Sequence, residues 1–241
     1  MMALGGSWWS EGPPSVIVWP CRLDVSTYAA LGREVAPPRV ACPRCGGATG
    51  PWSGYLRHLR DEGLLRIFVP RVRCRRCGRT DALLPWFVAP YRWDSVDVIG
   101  DALERSAAGE GVRRIAAALG RPETTVREWC RRFGRVAADL ARVLLAAAVR
   151  AGWTGFDLPT APRPRVTAAA GALATTWTRR RGPASTWRLA ALVTGGAWLA
   201  RNTTSPLASA AVSPVMAGTP SDGGDPWPAT RPKPSPSGAT T

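Results

Sequence analysis

Two short segments with the same CxxC-Gly pattern stand out in this 241-residue chain, Cys42-Pro43-Arg44-Cys45-Gly46 and Cys74-Arg75-Arg76-Cys77-Gly78. Each CxxC turn offers two sulfur atoms from a single bend, and the glycine that follows relieves the backbone there. A tetrahedral zinc site takes four thiolates in this way. The sequence therefore predicts one structural Zn2+ ion held by four ligands: Cys42, Cys45, Cys74 and Cys77.

The alternatives for these cysteines are two disulfides or four free thiols. The first twenty residues contain Glu11 and lack a basic start, so they do not resemble a secretory signal, and a reducing compartment disfavours disulfides. Zinc is therefore favoured. Cys21 and Cys130 need no role in the site, and Cys130 falls on the apolar face of a predicted helix as a small buried side chain.

The segment between the two cysteine pairs leaves room for a β-hairpin. Aromatic and β-branched runs over 52–60 and 66–73 are separated by the turn signal Asp61-Glu62-Gly63. A further short strand is predicted over 15–19. The pattern indicates a zinc ribbon within residues 16–90. In such a ribbon a hairpin lies between two CxxC turns, which are called knuckles.

A second motif follows the ribbon. Residues 112–119 are predicted to form a short amphipathic helix, Gly120-Arg121-Pro122 a sharp turn, and residues 123–133 a second helix. The second helix has apolar residues at i, i+3, i+4 and i+7, namely Val126, Trp129, Cys130 and Phe133. The sequence predicts a helix-turn-helix domain of the homeodomain-like kind, with an ordinary helical hairpin as the alternative.

The polar face of the second helix would meet DNA. In this motif the N-terminal half of the second helix enters the major groove, where arginine can bind guanine and a carboxylate can accept from cytosine. We predict Arg127, Glu128 and Arg131 as base readers. Residues better placed for phosphate contacts are Thr124, Thr125, Arg113, Arg114 and Arg132.

The charge of the chain indicates an anionic partner. The formal net charge is +15 and the isoelectric point is near 11.2. Double-stranded DNA is favoured over a membrane because no basic amphipathic helix with a continuous apolar face is evident, and the apolar stretch 189–200 is too short to span a bilayer. We expect a cytoplasmic, nucleoid-associated protein.

The fold class predicted is mainly α-helical with a small β zinc ribbon, a helix-turn-helix domain, further C-terminal helices and a disordered tail. Asp94 or Ser95 can cap the helix that precedes the helix-turn-helix. Two more helices are predicted, over 136–151 and 185–200, and their role is open. The predicted divisions are a disordered N-terminus 1–15, the ribbon domain 16–90, the helix-turn-helix domain 91–136, a helical region 137–200 and a disordered tail 201–241.

The sequence resembles the N-terminal recognition module of bacterial insertion-sequence transposases. The resemblance lies in the order of the elements: a CxxC turn, a hairpin, a second CxxC turn, the segment 82–92, a helix and residues 120–129. The sequence is also similar to actinobacterial proteins that carry a zinc ribbon and a helix-turn-helix. The resemblance implies binding to the ends of a mobile element. In such transposases an RNase H-like domain with three metal-binding carboxylates follows, whereas here the only acidic residues after Asp139 are Asp157, Asp222 and Asp225.

We therefore expect a DNA-binding protein that is not an enzyme. It would be an accessory factor to a separately encoded transposase or integrase, or a transposase lacking the carboxylate triad. A transcriptional regulator using the same contacts and a protein-protein docking module are the alternatives, and a homo-oligomer is compatible with any of them. Asp97, Asp101 and Glu104 share one helix face and are interpreted as a solvated acidic stripe.

Overall fold

The computed structural model describes residues 15–155 and 157–199, which form a mixed α/β architecture. It contains six α-helices and one four-stranded sheet: β1 (Ser15–Trp19), α1 (Val25–Leu31), β2 (Thr49–Arg60), β3 (Leu64–Cys74), β4 (Thr80–Pro85), α2 (Val96–Ala107), α3 (Val112–Leu119), α4 (Glu123–Arg150), α5 (Pro162–Arg181) and α6 (Thr186–Val193). Short 3-10 turns follow α1 and α6. The expected disordered ends lie outside the described residues, except that Ser15 begins β1.

The sheet has the strand order β1-β4-β3-β2. The predicted hairpin is confirmed, since β2 and β3 pair antiparallel around the turn at 61–63, and so is the predicted strand β1. The sequence did not predict β4, which pairs antiparallel with β3 and parallel with β1. Residues 81–85 of β4 are all buried, so this strand lacks the alternation that marks a half-exposed strand. Because of this larger sheet, the chain is mixed α/β rather than mainly α.

Helices α2 and α3 lie where the sequence predicts them. Ser95 caps α2, because its Oγ accepts a hydrogen bond from the Val98 N–H at 3.2 Å. Helix α3 ends at Gly120, whose φ of 60° places it in the left-handed region that glycine adopts without strain. The predicted apolar face of the next helix is buried as expected: Val126, Trp129, Cys130 and Phe133.

Helix α4 is a single helix of 28 residues, so the prediction of two helices over 123–133 and 136–151 was wrong. It passes through Gly134 and crosses the predicted boundary between 136 and 137. The buried stripe simply continues along it, through Ala137, Leu140, Leu144 and Ala147. No helix in the part of the chain that is described is both long and apolar enough to cross a membrane.

Helix α5 packs along α4 and was not predicted as an element. Its buried face is made mostly of small side chains, Val166, Ala169, Ala170 and Leu173, so its amphipathic pattern is faint in the sequence. The signal that could have found it is Pro162 in its first turn. The helix predicted over 185–200 is shorter, since α6 ends at Val193 and a turn at Gly195 and Gly196, both with positive φ, follows it.

Helix α6 docks on α2 through the acidic face of α2. Asp97 accepts hydrogen bonds from the Ser185 hydroxyl at 2.6 Å and from Arg188 Nε at 2.7 Å. Glu104 accepts one from the indole N–H of Trp187 at 2.7 Å. Two of the three residues interpreted as a solvated stripe thus hold α6 in place. Asp101 remains half exposed.

Gly100 sets how closely α6 approaches α2, because a Cβ atom there would lie 2.2 Å from Cδ1 of Trp187. We predict that Gly100→Ala destabilises the fold by about 1–3 kcal/mol through overpacking, despite the better helix propensity of alanine. Gly171 in α5 is the matched control, since its Cβ position is open. Gly171→Ala should stabilise by up to about 1 kcal/mol. Urea unfolding of both variants measures this, and equal effects would refute the packing argument.

A cysteine cluster and a candidate nucleic-acid interface

The four predicted metal ligands come together in the structure. The Sγ atoms of Cys42, Cys45, Cys74 and Cys77 all lie within 4.8 Å of one another, and the Cys42–Cys77 and Cys45–Cys74 distances are 3.6 and 3.5 Å. A tetrahedral ion with metal–sulfur bonds of about 2.3 Å would place its sulfurs about 3.8 Å apart. A disulfide needs about 2.05 Å, so the four free cysteines are positioned to bind a metal ion.

The two cysteine turns share one backbone geometry. The Gly46 N–H donates to the Cys42 carbonyl at 2.9 Å, and the Gly78 N–H donates to the Cys74 carbonyl at 3.1 Å. Both glycines have positive φ, 68° and 74°, which explains why each CxxC pair is followed by glycine. The predicted knuckle pattern is therefore present twice.

Backbone donors also favour the thiolate form of Cys74. The N–H groups of Cys77 and Arg76 each lie 3.4 Å from Cys74 Sγ. These hydrogen bonds, chiefly that of Cys77, lower the pKa of Cys74 to about 6. The thiolate is the form of cysteine that binds metals, so the turn prepares this ligand for an ion.

Gly47 is a residue of the site that the sequence analysis missed. A Cβ atom at Gly47 would lie 2.9 Å from Cβ of Arg76 and 3.3 Å from the sulfurs of both Cys45 and Cys74. Only glycine therefore lets the first turn close onto the second. The second glycine of Cys45-Gly46-Gly47 was the available signal.

Removing a cysteine should abolish metal binding. We predict that the wild-type chain binds one Zn2+ or Co2+ ion, that Cys74→Ser binds none with measurable affinity, and that Gly47→Ala weakens binding about tenfold or more by displacing the sulfurs. Elemental analysis and competition with a chelating dye measure this. Cys130→Ala is the control, because Cys130 is buried in the helical core away from the cluster and should leave the stoichiometry unchanged.

The residues predicted to contact DNA occupy α3 and the first three turns of α4. Arg113, Arg114, Thr124, Arg127 and Arg131 are exposed. Partly exposed are Thr125, Glu128 and Arg132. All eight are thus at least partly accessible to solvent. Arg113 lies 4.0 Å from Glu123 at the start of α4, which joins the two helices at this surface.

Intrahelical ion pairs order the arginines of α4. Arg131 donates two hydrogen bonds of 2.7 Å to the Glu128 carboxylate, and Arg132 also donates to it. Arg127 pairs in the same way with Glu123. The hydrogen bonds from Arg131 and Arg132 hold the pKa of Glu128 near 2, so this carboxylate is ionised. Glu128 already accepts hydrogen bonds from two arginines, so the geometry favours a role in positioning those arginines over reading a cytosine. Cytosine reading by Glu128 stays a prediction.

A buried carboxylate fixes this unit to the hairpin. Asp94 is 3% exposed and accepts from Arg121 Nε at 2.6 Å and from Arg60 Nη2 at 2.8 Å. Arg121 also donates to the Asp61 carbonyl at 3.0 Å. Asp94 and Arg121 therefore connect the turn between α3 and α4 to the tip of the β2–β3 hairpin, and we call this contact the Asp94 junction. From the sequence alone, Asp94 is only a possible helix cap.

We predict that Asp94→Asn destabilises the protein by about 2–3 kcal/mol, because two guanidinium groups lose the buried carboxylate that they share. Asp139→Asn is the control. It breaks the Arg142 pair on the outer face of α4, and such exposed pairs contribute about 0–1 kcal/mol. Chemical denaturation of the zinc-loaded protein distinguishes the two, and an equal effect would show that the Asp94 junction is not a major contact.

Comparison with known proteins gives one match. A family model described as a domain of unknown function, DUF6431, matches residues 42–129. The matched segment begins at the first cysteine of the cluster and ends at Trp129 in α4, so it spans the hairpin, the Asp94 junction and the α3–α4 turn. No curated protein and no solved structure matches the chain significantly.

Proposed function

We propose that this chain is a sequence-specific binding protein for double-stranded DNA, in which Zn2+ folds the cysteine end of the hairpin and α4 reads the major groove. The observation that carries the proposal is the exposed face of Arg127 and Arg131, one and two turns into a helix that follows a tight left-handed turn. This is the position from which a recognition helix contacts base edges.

Zinc is the proposed ion because the donor set consists of four cysteine sulfurs. Soft thiolate ligands in a compact tetrahedral group select zinc or an iron centre. Four protein ligands leave no position open for a reacting molecule, so the ion is structural. When bound, it would cross-link the two cysteine turns and hold the end of the hairpin that is farthest from the helices.

The distribution of charge supports a polyanion as the partner. The cysteine end of the hairpin, defined as residues 39–57 and 66–80, contains nine arginines and no aspartate or glutamate. Phosphate contacts by such a surface release counterions, so binding should weaken steeply as salt rises. A docking site for a protein partner would not share this dependence.

The ion pairs on α4 are compatible with base reading. Arg127 is 61% exposed and Arg131 46% exposed in their side chains, and exposed pairs of this kind contribute about 0–1 kcal/mol. Each arginine can therefore exchange its glutamate for a guanine edge at little cost. The glutamates restrict the arginine rotamers beforehand, which lowers the entropy lost on binding.

The resemblance to insertion-sequence transposases motivates a narrower proposal. The DNA would be the end of a mobile element, and the partner a separately encoded transposase or integrase. Matching the preferred sequence to element ends or to promoters separates this role from transcriptional regulation.

We predict that selection from random duplex DNA recovers one motif, and that Arg127→Ala lowers affinity for that motif about fivefold to one hundredfold, equivalent to 1–3 kcal/mol, while changing binding to random DNA far less. Arg150→Ala is the control. It removes the same charge from the other end of α4, about 35 Å away, and should have little effect on the motif.

Affinities are measured by fluorescence anisotropy at two salt concentrations with zinc-quantified protein. If no motif is enriched, or if Arg127→Ala and Arg150→Ala weaken specific and random duplexes equally, base reading by α4 is wrong.

A further inference from the structure

The cysteine end of the hairpin carries an exposed aromatic side chain that major-groove reading by α4 does not use. Trp52 is 55% exposed on β2, the edge strand of the sheet. The guanidinium carbon of Arg73 lies 4.6 Å from the centre of its indole ring. Together with Arg75, Gly50 and Pro51 these residues line an open groove beside the cluster.

The backbone itself directs Trp52 outward. In the register of β2 with β3, Pro51 pairs with Val72 and Ser53 pairs with Arg71, so Trp52 is the extra residue of a β-bulge and has no partner. A bulge re-aims a side chain, and bulges are common beside functional sites. Trp52 therefore points out of the regular strand pairing, and its ring contacts only the long side chain of Arg73 at the end of β3 among the ring and cation contacts of the described residues.

The arginines of the groove are held in place. Arg73 Nε donates to the Gly78 carbonyl at 3.3 Å, which leaves its remaining N–H groups beside the indole. The Arg75 guanidinium lies over Gly50, with Nε 3.6 Å from the position that a Cβ atom would take. The groove thus combines an exposed indole with two arginines, and no acidic residue lines it; the nearby Asp81 is buried and paired with Arg79.

We propose that this groove binds an unpaired nucleotide of DNA, whose base stacks on Trp52 while its flanking phosphates pair with Arg73 and Arg75. The proposal rests on the proposed function, since it assigns a second DNA contact to the same protein. Phosphate binding alone would need no exposed indole. A base inside a duplex is already stacked on both faces, so the aromatic surface favours a single-stranded extension or a frayed end.

This contact is separate from α4. Trp52 lies eight residues from Arg60, where the hairpin meets the helices, which is about 26 Å along a strand. A change at Trp52 therefore cannot act through the recognition residues directly. Because its side chain is exposed, truncation should also leave the fold intact.

The test compares Trp52→Ala with Trp93→Ala, using fluorescence anisotropy. Trp93 is the matched control, because it is 59% exposed and stacks on His58 away from the groove. The probes are a twelve-nucleotide oligo-dT strand, a blunt duplex carrying the selected motif, and the same duplex with a single-stranded extension. Zinc content is measured for each protein.

We expect Trp52→Ala to bind oligo-dT and the extended duplex about tenfold more weakly, with Trp52→Phe retaining most of the affinity. Trp93→Ala should match the wild type on every probe, and Trp52→Ala should match it on the blunt duplex. Arg73→Gln, which keeps the indole, should weaken the same two probes. It also serves as the second variant if Trp52→Ala loses its zinc.

Three results would overturn the proposal: no binding of oligo-dT by the wild type, a loss below twofold for Trp52→Ala, or equal losses for the two tryptophan variants. These outcomes are distinct from failure of the proposed function. If Arg127→Ala still lowers affinity for the blunt duplex while Trp52→Ala has no effect on the extension, only the stacking site is wrong.

Discussion

The buried carboxylate of Asp94 is the contact on which the arrangement of the hairpin and the α3–turn–α4 unit depends. A carboxylate closed off from water is costly unless hydrogen-bond donors satisfy it, and here Arg60 from the hairpin and Arg121 from the α3–α4 turn both do so. Loss of either arginine would leave one oxygen of this buried carboxylate without its guanidinium donor. The hairpin and the helical unit are therefore held in one fixed relation, and any ligand meets them together.

The two ends of the hairpin are stabilised by different means. Leu59 on β2 and Ile67, Val69 and Val72 on β3 are buried in the core that the hairpin shares with the rest of the protein. Across residues 39–57, the first segment of the cysteine end, Cys42 is the only buried residue in the described structure, so this segment has almost no apolar core of its own. A metal ion held by the four sulfurs would replace the missing core, as is common where a small unit cannot bury enough apolar surface. Metal removal should consequently loosen the cysteine end first.

The features that could be predicted from the sequence are those set by local chemistry. The CxxC-Gly turns, the Gly120 turn, the Ser95 cap and the spacing of Val126, Trp129, Cys130 and Phe133 each depend on a few neighbouring residues. The parallel pairing of β1 with β4 joins segments more than sixty residues apart and leaves no periodic signal. Helix α5 buries small side chains, and Asp94 meets its partners only through tertiary packing, so neither was visible in a pattern of apolar residues.

The distribution of charge differs between the cysteine end of the hairpin and the α3–turn–α4 unit. Over residues 112–133 there are six arginines and two glutamates, but Arg121 is engaged at the junction and the glutamates neutralise much of the α4 face. The cysteine end contains nine arginines and no acidic residue in its own segments, and Asp81 just beyond it pairs with Arg79 at 3.0 Å. Long-range attraction to a phosphate backbone should then come mainly from the hairpin, and discrimination between sequences from α4. Because Asp94 fixes one to the other, electrostatic capture by the hairpin would also set the orientation in which α4 approaches the groove.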